Sequence, residues 1–132
     1  MRALSWLIAV LVLAACSKRE TPPPSQQYKP PAQAKWGKLG ETDEAGVYVD
    51  HASIQEKDQL RRLWMLRDFK KKSPDGEMSS LSFLEYDCAK NRYRTLWMSV
   101  HSEPMAGGRI LYSGTIPGEW SATDLYKFSC AT

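Results

Sequence analysis

Residues 60–101 read LRRLWMLRDFKKKSPDGEMSSLSFLEYDCAKNRYRTLWMSVH. Leu60 to Phe69 is rich in apolar, aromatic and branched residues and reads as a long strand. Lys70 to Met78 follows, and Ser73-Pro74-Asp75-Gly76 inside it is turn chemistry: proline presets one φ and glycine frees another. Ser80 to Cys88 reads as the returning strand, Lys90-Asn91 as a short turn, and Arg92 to His101 as the next strand. An antiparallel meander is the expectation. Period-two sorting places Ser82, Leu84, Tyr86 and Cys88 on one face of the second strand and Leu81, Phe83, Glu85 and Asp87 on the other. In the third strand the same sorting sets Arg92, Arg94, Leu96, Met98 and Val100 against Tyr93, Thr95, Trp97, Ser99 and His101. Neither face is apolar throughout, which fits a strongly twisted sheet and leaves the register open.

Working outward, Val47-Tyr48-Val49 reads as an earlier strand closed by Asp50, and Arg109 to Ser113 as a later one. Pro104 to Gly108 and Pro117-Gly118 are breaks. Ser121 to Ser129, with Ser121 or Thr123 as cap and Leu125, Tyr126 and Phe128 apolar, reads as a helix. The expected architecture is therefore α+β: a single antiparallel sheet of about five to six strands with a C-terminal helix. A chain of 132 residues holds one such domain, expected over residues 35–132.

The N-terminal quarter has a different character. Arg2 precedes an apolar run from Leu4 to Val12, and Leu13-Ala14-Ala15-Cys16 closes it with small residues. The run is short for a membrane span, so residues 1–15 read as a secretory signal peptide. The closing tetrapeptide resembles the lipobox of bacterial lipoproteins, which implies cleavage before Cys16 and acylation of its thiol by chains such as palmitate. Acyl chains on one residue anchor firmly, since each buried CH₂ contributes about 0.8 kcal/mol. Ser17, rather than Asp, follows the cysteine, and by the sorting rule of such lipoproteins this implies the outer membrane. Residues 16–34 carry Pro22, Pro23, Pro24, Pro30 and Pro31 among Gln, Ser and Lys, and read as a disordered tether. Extended at about 3 Å per residue, it reaches some 50 Å.

Three cysteines are present. With Cys16 acylated, Cys88 and Cys130 remain, and an oxidising compartment offers them a single pairing. Two free buried thiols are the alternative. A bridge of this span contributes about 4 kcal/mol in the chain-entropy model.

The mature segment from Lys35 to Cys130 resembles the surface-adhesin protein E family. The residues that carry the resemblance are Trp36, Val47-Tyr48-Val49-Asp50, Ser53-Ile54, Leu63-Trp64-Met65-Leu66-Arg67-Asp68, Ser79-Ser80, Glu85-Tyr86-Asp87-Cys88, Arg92-Tyr93-Arg94-Thr95 and Pro117-Gly118-Glu119-Trp120. The resemblance implies an antiparallel sheet with a helix packed near its end and a Cys88–Cys130 bridge. Prototype members bind host matrix and serum proteins, so it also implies a lipid-anchored binding protein whose partners are host extracellular-matrix or serum proteins or an acidic polysaccharide. The alternative is a structural or accessory envelope lipoprotein that binds only bacterial partners.

The chemistry in the sequence points away from catalysis. His51 and His101 lie in separate segments, without metal-ligand spacing, and no nucleophile elbow occurs. No cofactor, metal or catalytic residue is therefore expected. Asp50, Asp68 and Asp87 stand at or near strand ends, where aspartates make turns and pair with arginine. The net charge of +3 is too small to imply nucleic acid. Cations do cluster, at Arg61-Arg62, Lys70-Lys71-Lys72 and Lys90, Arg92 and Arg94. They read as a solvated edge or as a patch for an acidic partner. On the second reading the partner-binding set is Arg61, Arg62, Arg92, Arg94 and Tyr93. Trp64 and Trp97 are expected in the core, and Trp120 next to the terminal helix.

Overall fold

A computed structural model describes residues 28–131; the expected signal peptide, Cys16 and the expected tether as far as residue 27 lie outside the described residues. Eight antiparallel strands form one curled sheet. They are β1 (Trp36–Glu41), β2 (Ala45–Asp50), β3 (Gln55–Lys57), β4 (Leu60–Phe69), β5 (Ser79–Asp87), β6 (Arg92–Glu103), β7 (Gly107–Thr115) and β8 (Ser121–Ala122). The order is β1-β2-β4-β5-β6-β7, with β3 also beside β4 and β8 also beside β6. The short strands extend the ladder where their longer neighbours stop. β2 pairs with Met65 to Phe69 of β4 while β3 pairs with Leu60 to Arg62. β7 pairs with Trp97 onward in β6 while β8 pairs with Arg92 and Tyr93.

The meander of β4, β5 and β6 is as the sequence implies. Its first loop closes with Gly76 at φ 85°, its N–H donating to the Ser73 carbonyl at 2.9 Å. A left-handed φ of this kind is what glycine supplies cheaply. The mixed faces of β6 have a specific cause. Between Phe83 and Leu84 the β5–β6 register shifts, leaving Leu96 as an extra residue in β6. A bulge of this type flips the alternation, so Leu96 and Trp97, adjacent in sequence, pack against the same core cluster. Tyr93 before the bulge therefore shares a face with Met98 after it, and both line one groove.

The curled sheet has a core on each face. On one, here the disulfide face, Val47, Val49, Leu63, Met65, Leu84, Tyr86 and Tyr126 pack together. On the other, the tryptophan face, Trp64, Leu66, Leu81 and Phe83 pack together, joined by Trp36, Trp97 and Tyr28. The Tyr28 ring lies 5.0 Å from that of Phe83. The chain segment from Tyr28 to Trp36 thus runs against the tryptophan face.

Two expectations about fold class are corrected. The sheet has eight strands rather than five or six, and the C-terminal helix is absent, so the described residues are all-β apart from two 3-10 turns at His51–Ser53 and Lys127–Cys130. The terminal segment is held at too many points to coil. Ala122 pairs with Arg92, Thr123 donates its N–H to the Asn91 carbonyl at 3.0 Å, and the Thr123 carbonyl accepts from the Tyr86 hydroxyl at 3.1 Å. The Thr123 hydroxyl accepts from the Leu125 N–H at 3.1 Å, a local bond that competes with helix. A few residues later the chain is fixed again by the Cys88–Cys130 disulfide, with Cα atoms 5.8 Å apart. A helix this short has little stability of its own to resist such anchors.

Candidate functional site

Antiparallel register puts three charged residues in one row on the tryptophan face. Arg62 of β4 is opposite Glu85 of β5, which is opposite Arg94 of β6. The adjacent row on the inner side is aromatic, with Trp64 opposite Phe83 and Phe83 opposite Trp97. The row on the outer side sets Asp87 opposite Arg92. Glu85 is 1% exposed, and both its oxygens are engaged. One accepts from Arg62 Nε at 2.9 Å, the other from Arg94 Nε at 3.0 Å and from its terminal nitrogen at 2.6 Å. Charge-assisted bonds of this geometry are the strong ones, and they hold the carboxylate in a place it could not occupy unpaired.

Asp87 divides its oxygens. Oδ1 accepts from the backbone N–H groups of Ala89 and Lys90, making the β5–β6 turn, and Oδ2 accepts from Arg92 Nε at 3.2 Å. Above Arg92 and Arg94 lies Trp120, its ring centroid 4.4 and 4.6 Å from the two guanidinium carbons. That distance is within cation–π range. Trp120 comes this close because Gly118 lies against β6, where an added Cβ would collide with the Thr95 carbonyl.

Three guanidinium groups here face two carboxylates, so one positive charge is left over. Lys90, exposed in the adjacent turn, adds a second. The arginine side chains remain 30–35% exposed. Arg62 and Arg92 each spend only Nε on a carboxylate. A guanidinium has five N–H donors in a planar fork, so among the described residues their terminal nitrogens make no hydrogen bond and can grip an oxyanion from outside. The buried carboxylates set the orientation, and the outward N–H edges present a rigid donor array beside an indole.

The five residues singled out from sequence do not form one site. Arg62, Arg92 and Arg94 come together. Arg61 points to the disulfide face, is 7% exposed, and donates to the backbone carbonyls of Ser129, Asp58 and Leu60 and to Glu56. Tyr93 is also on that face, its ring 5.4 Å from Tyr126. Glu85, Asp87 and Trp120 complete the cluster and were not in the set. Glu85 was findable, since it lies on the aromatic face of its strand at the level of Arg62 and Arg94. The other two aspartates bond backbone: Asp50 accepts from Ala52 N–H in a local turn, and Asp68, at the end of β4, accepts from Met105 N–H in the β6–β7 loop. Among the described residues, no group of three His, Cys, Asp or Glu is placed to hold a metal ion, and no helix is long and apolar enough to cross a membrane.

Comparison with known proteins agrees with the fold. A search of curated protein sequences returns no match. Among solved structures, crystal form II of Haemophilus influenzae protein E superposes with a TM-score of 0.52 at 15% identity, covering 77% of this chain and 91% of that one. A second structure of Haemophilus influenzae protein E gives a TM-score of 0.49 at 14% identity, covering 78% and 88%. At this identity the first likeness speaks for the fold. The family model for surface-adhesin protein E matches residues 36–131, the whole of the described domain from β1 to the residue after Cys130. The chain belongs to the surface-adhesin protein E family.

Proposed function

We propose that this adhesin-type surface protein is a lipid-anchored, non-catalytic binding protein of the outer membrane, and that it takes acidic partners, protein or polysaccharide, on the Arg62–Arg92–Arg94–Trp120 face. Family membership supports the adhesin class. The observation that carries the acidic-partner reading is the pair of guanidinium groups, Arg92 and Arg94, held over Trp120 with their positions fixed by buried carboxylates. Planar forks of this kind match carboxylate and sulfate oxygens. Many tethered copies turn a weak contact into durable attachment by avidity. Host matrix or serum proteins and acidic polysaccharides offer the complementary charge. Acylation of Cys16 supplies the membrane contact.

Binding to heparin and to acidic matrix proteins tests the reading across a salt series. Attraction between exposed charges is screened beyond about 8 Å at physiological ionic strength, so binding should fall as salt rises. Arg92→Gln combined with Trp120→Leu should weaken it further while the fold stays intact, because Asp87 keeps its two backbone donors. Salt-independent binding, or binding indifferent to the double substitution, rejects the reading. Fatty-acid labelling that is equal in wild type and Cys16→Ser rejects the anchor.

A further inference from the structure

The disulfide face is only half covered. Tyr126 and Phe128 pack with Leu63, Leu84 and Tyr86, while a groove is left over the other half of the same face. There a groove of about 420 Å³ runs between Met65, Met98 and Val47 on the sheet and Ile116, Leu125 and Tyr126 on the far wall. That volume falls within the range of small-molecule sites, about 300–1,000 Å³.

Its floor is unusual for the middle of a sheet. Ser80 and Ser82, on the central strand β5, stand where large apolar side chains would bury best, and are 5% and 6% exposed. Their hydroxyls line the groove and are not among the buried, unpartnered atoms. The walls are adaptable, since the two methionines can reshape around a guest. Leu125 is 47% exposed at the rim.

Among the described residues, Arg67 is the sole charged residue of the lining. Its contact with Glu44 is loose, at 3.6 Å to a side chain that is 84% exposed. Its charge reaches the Tyr126 phenol and works against the upward push of burial there. Among the described residues, no carboxylate lines the groove itself. The Phe69 ring also lies 5.6 Å from the Arg67 guanidinium, but neither this contact nor that with Glu44 is tight. One loosely held guanidinium at an apolar trough floored with hydroxyls is complementary to one anionic head on an apolar body.

We infer that this groove binds a small amphipathic monocarboxylate, such as a short- to medium-chain acyl acid. The carboxylate meets Arg67 and the chain lies between the methionines and Leu125. The site lies on the face opposite the arginine cluster and does not depend on the reading of that cluster.

Methionine methyl NMR on the full chain tests this, with hexanoate as probe and hexanamide as its uncharged counterpart. Hexanoate should shift the Met65 and Met98 methyls and leave Met78 and Met105, which are outside the groove, in place. Arg67→Gln should lower hexanoate affinity by about tenfold or more, the worth of a hydrogen-bonded charge, and leave hexanamide binding unchanged. Ser82→Leu should fill the floor and abolish both. Should that variant fail to fold, Leu125→Ser at the exposed rim should weaken both. Unmoved Met65 and Met98 methyls at millimolar hexanoate would overturn the inference. So would equal binding of acid and amide to the wild type, or an acid preference that survives Arg67→Gln.

Discussion

The Nε of Arg61 donates to the carbonyl oxygen of Ser129 at 3.1 Å, across 68 residues of sequence. The same guanidinium bonds the carbonyls of Asp58 and Leu60 and the carboxylate of Glu56. It ties the start of β4 to the last turn of the chain, beside the Cys88–Cys130 bridge. A covalent and a polar cross-link therefore hold the same terminal segment, which has no helix to stabilise it from within.

Replacing Arg61 with Met should destabilise the domain by about 1–3 kcal/mol, because the buried Ser129 carbonyl loses its donor. Urea unfolding reads the loss. Binding of acidic partners should be unchanged, since Arg61 is on the other face from Arg62, Arg92 and Arg94. A variant with full stability would show that water reaches the Ser129 carbonyl.

Glu85→Gln should cost more, about 3–5 kcal/mol, because it leaves Arg62 and Arg94 facing a neutral group in a place built for a carboxylate. The triple variant Arg62→Met, Glu85→Leu, Arg94→Met should recover much of that stability, as apolar replacements escape the desolvation of all three charges. A single variant as stable as wild type would mean that the guanidinium groups are held by Trp120 and solvent instead.

The meander was legible in the sequence because each strand is long, apolar and bounded by residues with a clear turn role, Gly76 and Asn91 among them, both at positive φ. The Arg62–Glu85–Arg94 row was nearly legible, since it follows from register once the hairpin is accepted. The bulge at Leu96 was not. Nothing in a run of Thr, Leu, Trp and Met marks which residue is the extra one, and the consequence was a mis-sorted face. The terminal helix misled for a related reason. Tyr126 and Phe128 do face a core while Leu125 is exposed, but in a segment pinned at Thr123 and Cys130, where tertiary anchors override local propensity. Arg61 and Arg62 are neighbours in sequence and opposite in role because consecutive strand residues point to opposite faces.

Gly118→Ala should destabilise by about 1–3 kcal/mol, the usual cost of overpacking, because its Cβ would meet the Thr95 carbonyl and the Arg94 Cβ. The relief available is for the loop to lift, which carries Trp120 away from Arg92 and Arg94. Acidic-partner binding should weaken with it. Gly40→Ala is the matched control: nothing lies within 4 Å of the added carbon, so a change of less than about 0.5 kcal/mol is expected for this surface site. Equal behaviour of the two variants would contradict the tight packing at Gly118.

His101 makes the fold sensitive to mild acid. Its side chain is buried, with Nε2 2.7 Å from the Ser99 hydroxyl and Nδ1 without a partner among the described residues. Leu81, Trp36, Met105 and Ala106 line the same cavity. Burial lowers the pKa of the imidazole below its ordinary value, so the folded protein holds it neutral. The unfolded chain takes up the proton near the ordinary value of about 6.5. Between the folded and unfolded values the unfolded state carries more protons, so stability falls as pH drops through that window and is fully present above it. Urea midpoints of wild type and His101→Gln, measured near pH 7.5 and near pH 5.5 on either side of that ordinary value, isolate the effect because the other titrating groups cancel. Wild type should lose more stability on acidification than the variant. Identical losses would mean that His101 can be protonated without leaving its place under the Pro30–Trp36 segment, and that its neutral form contributes nothing to folding.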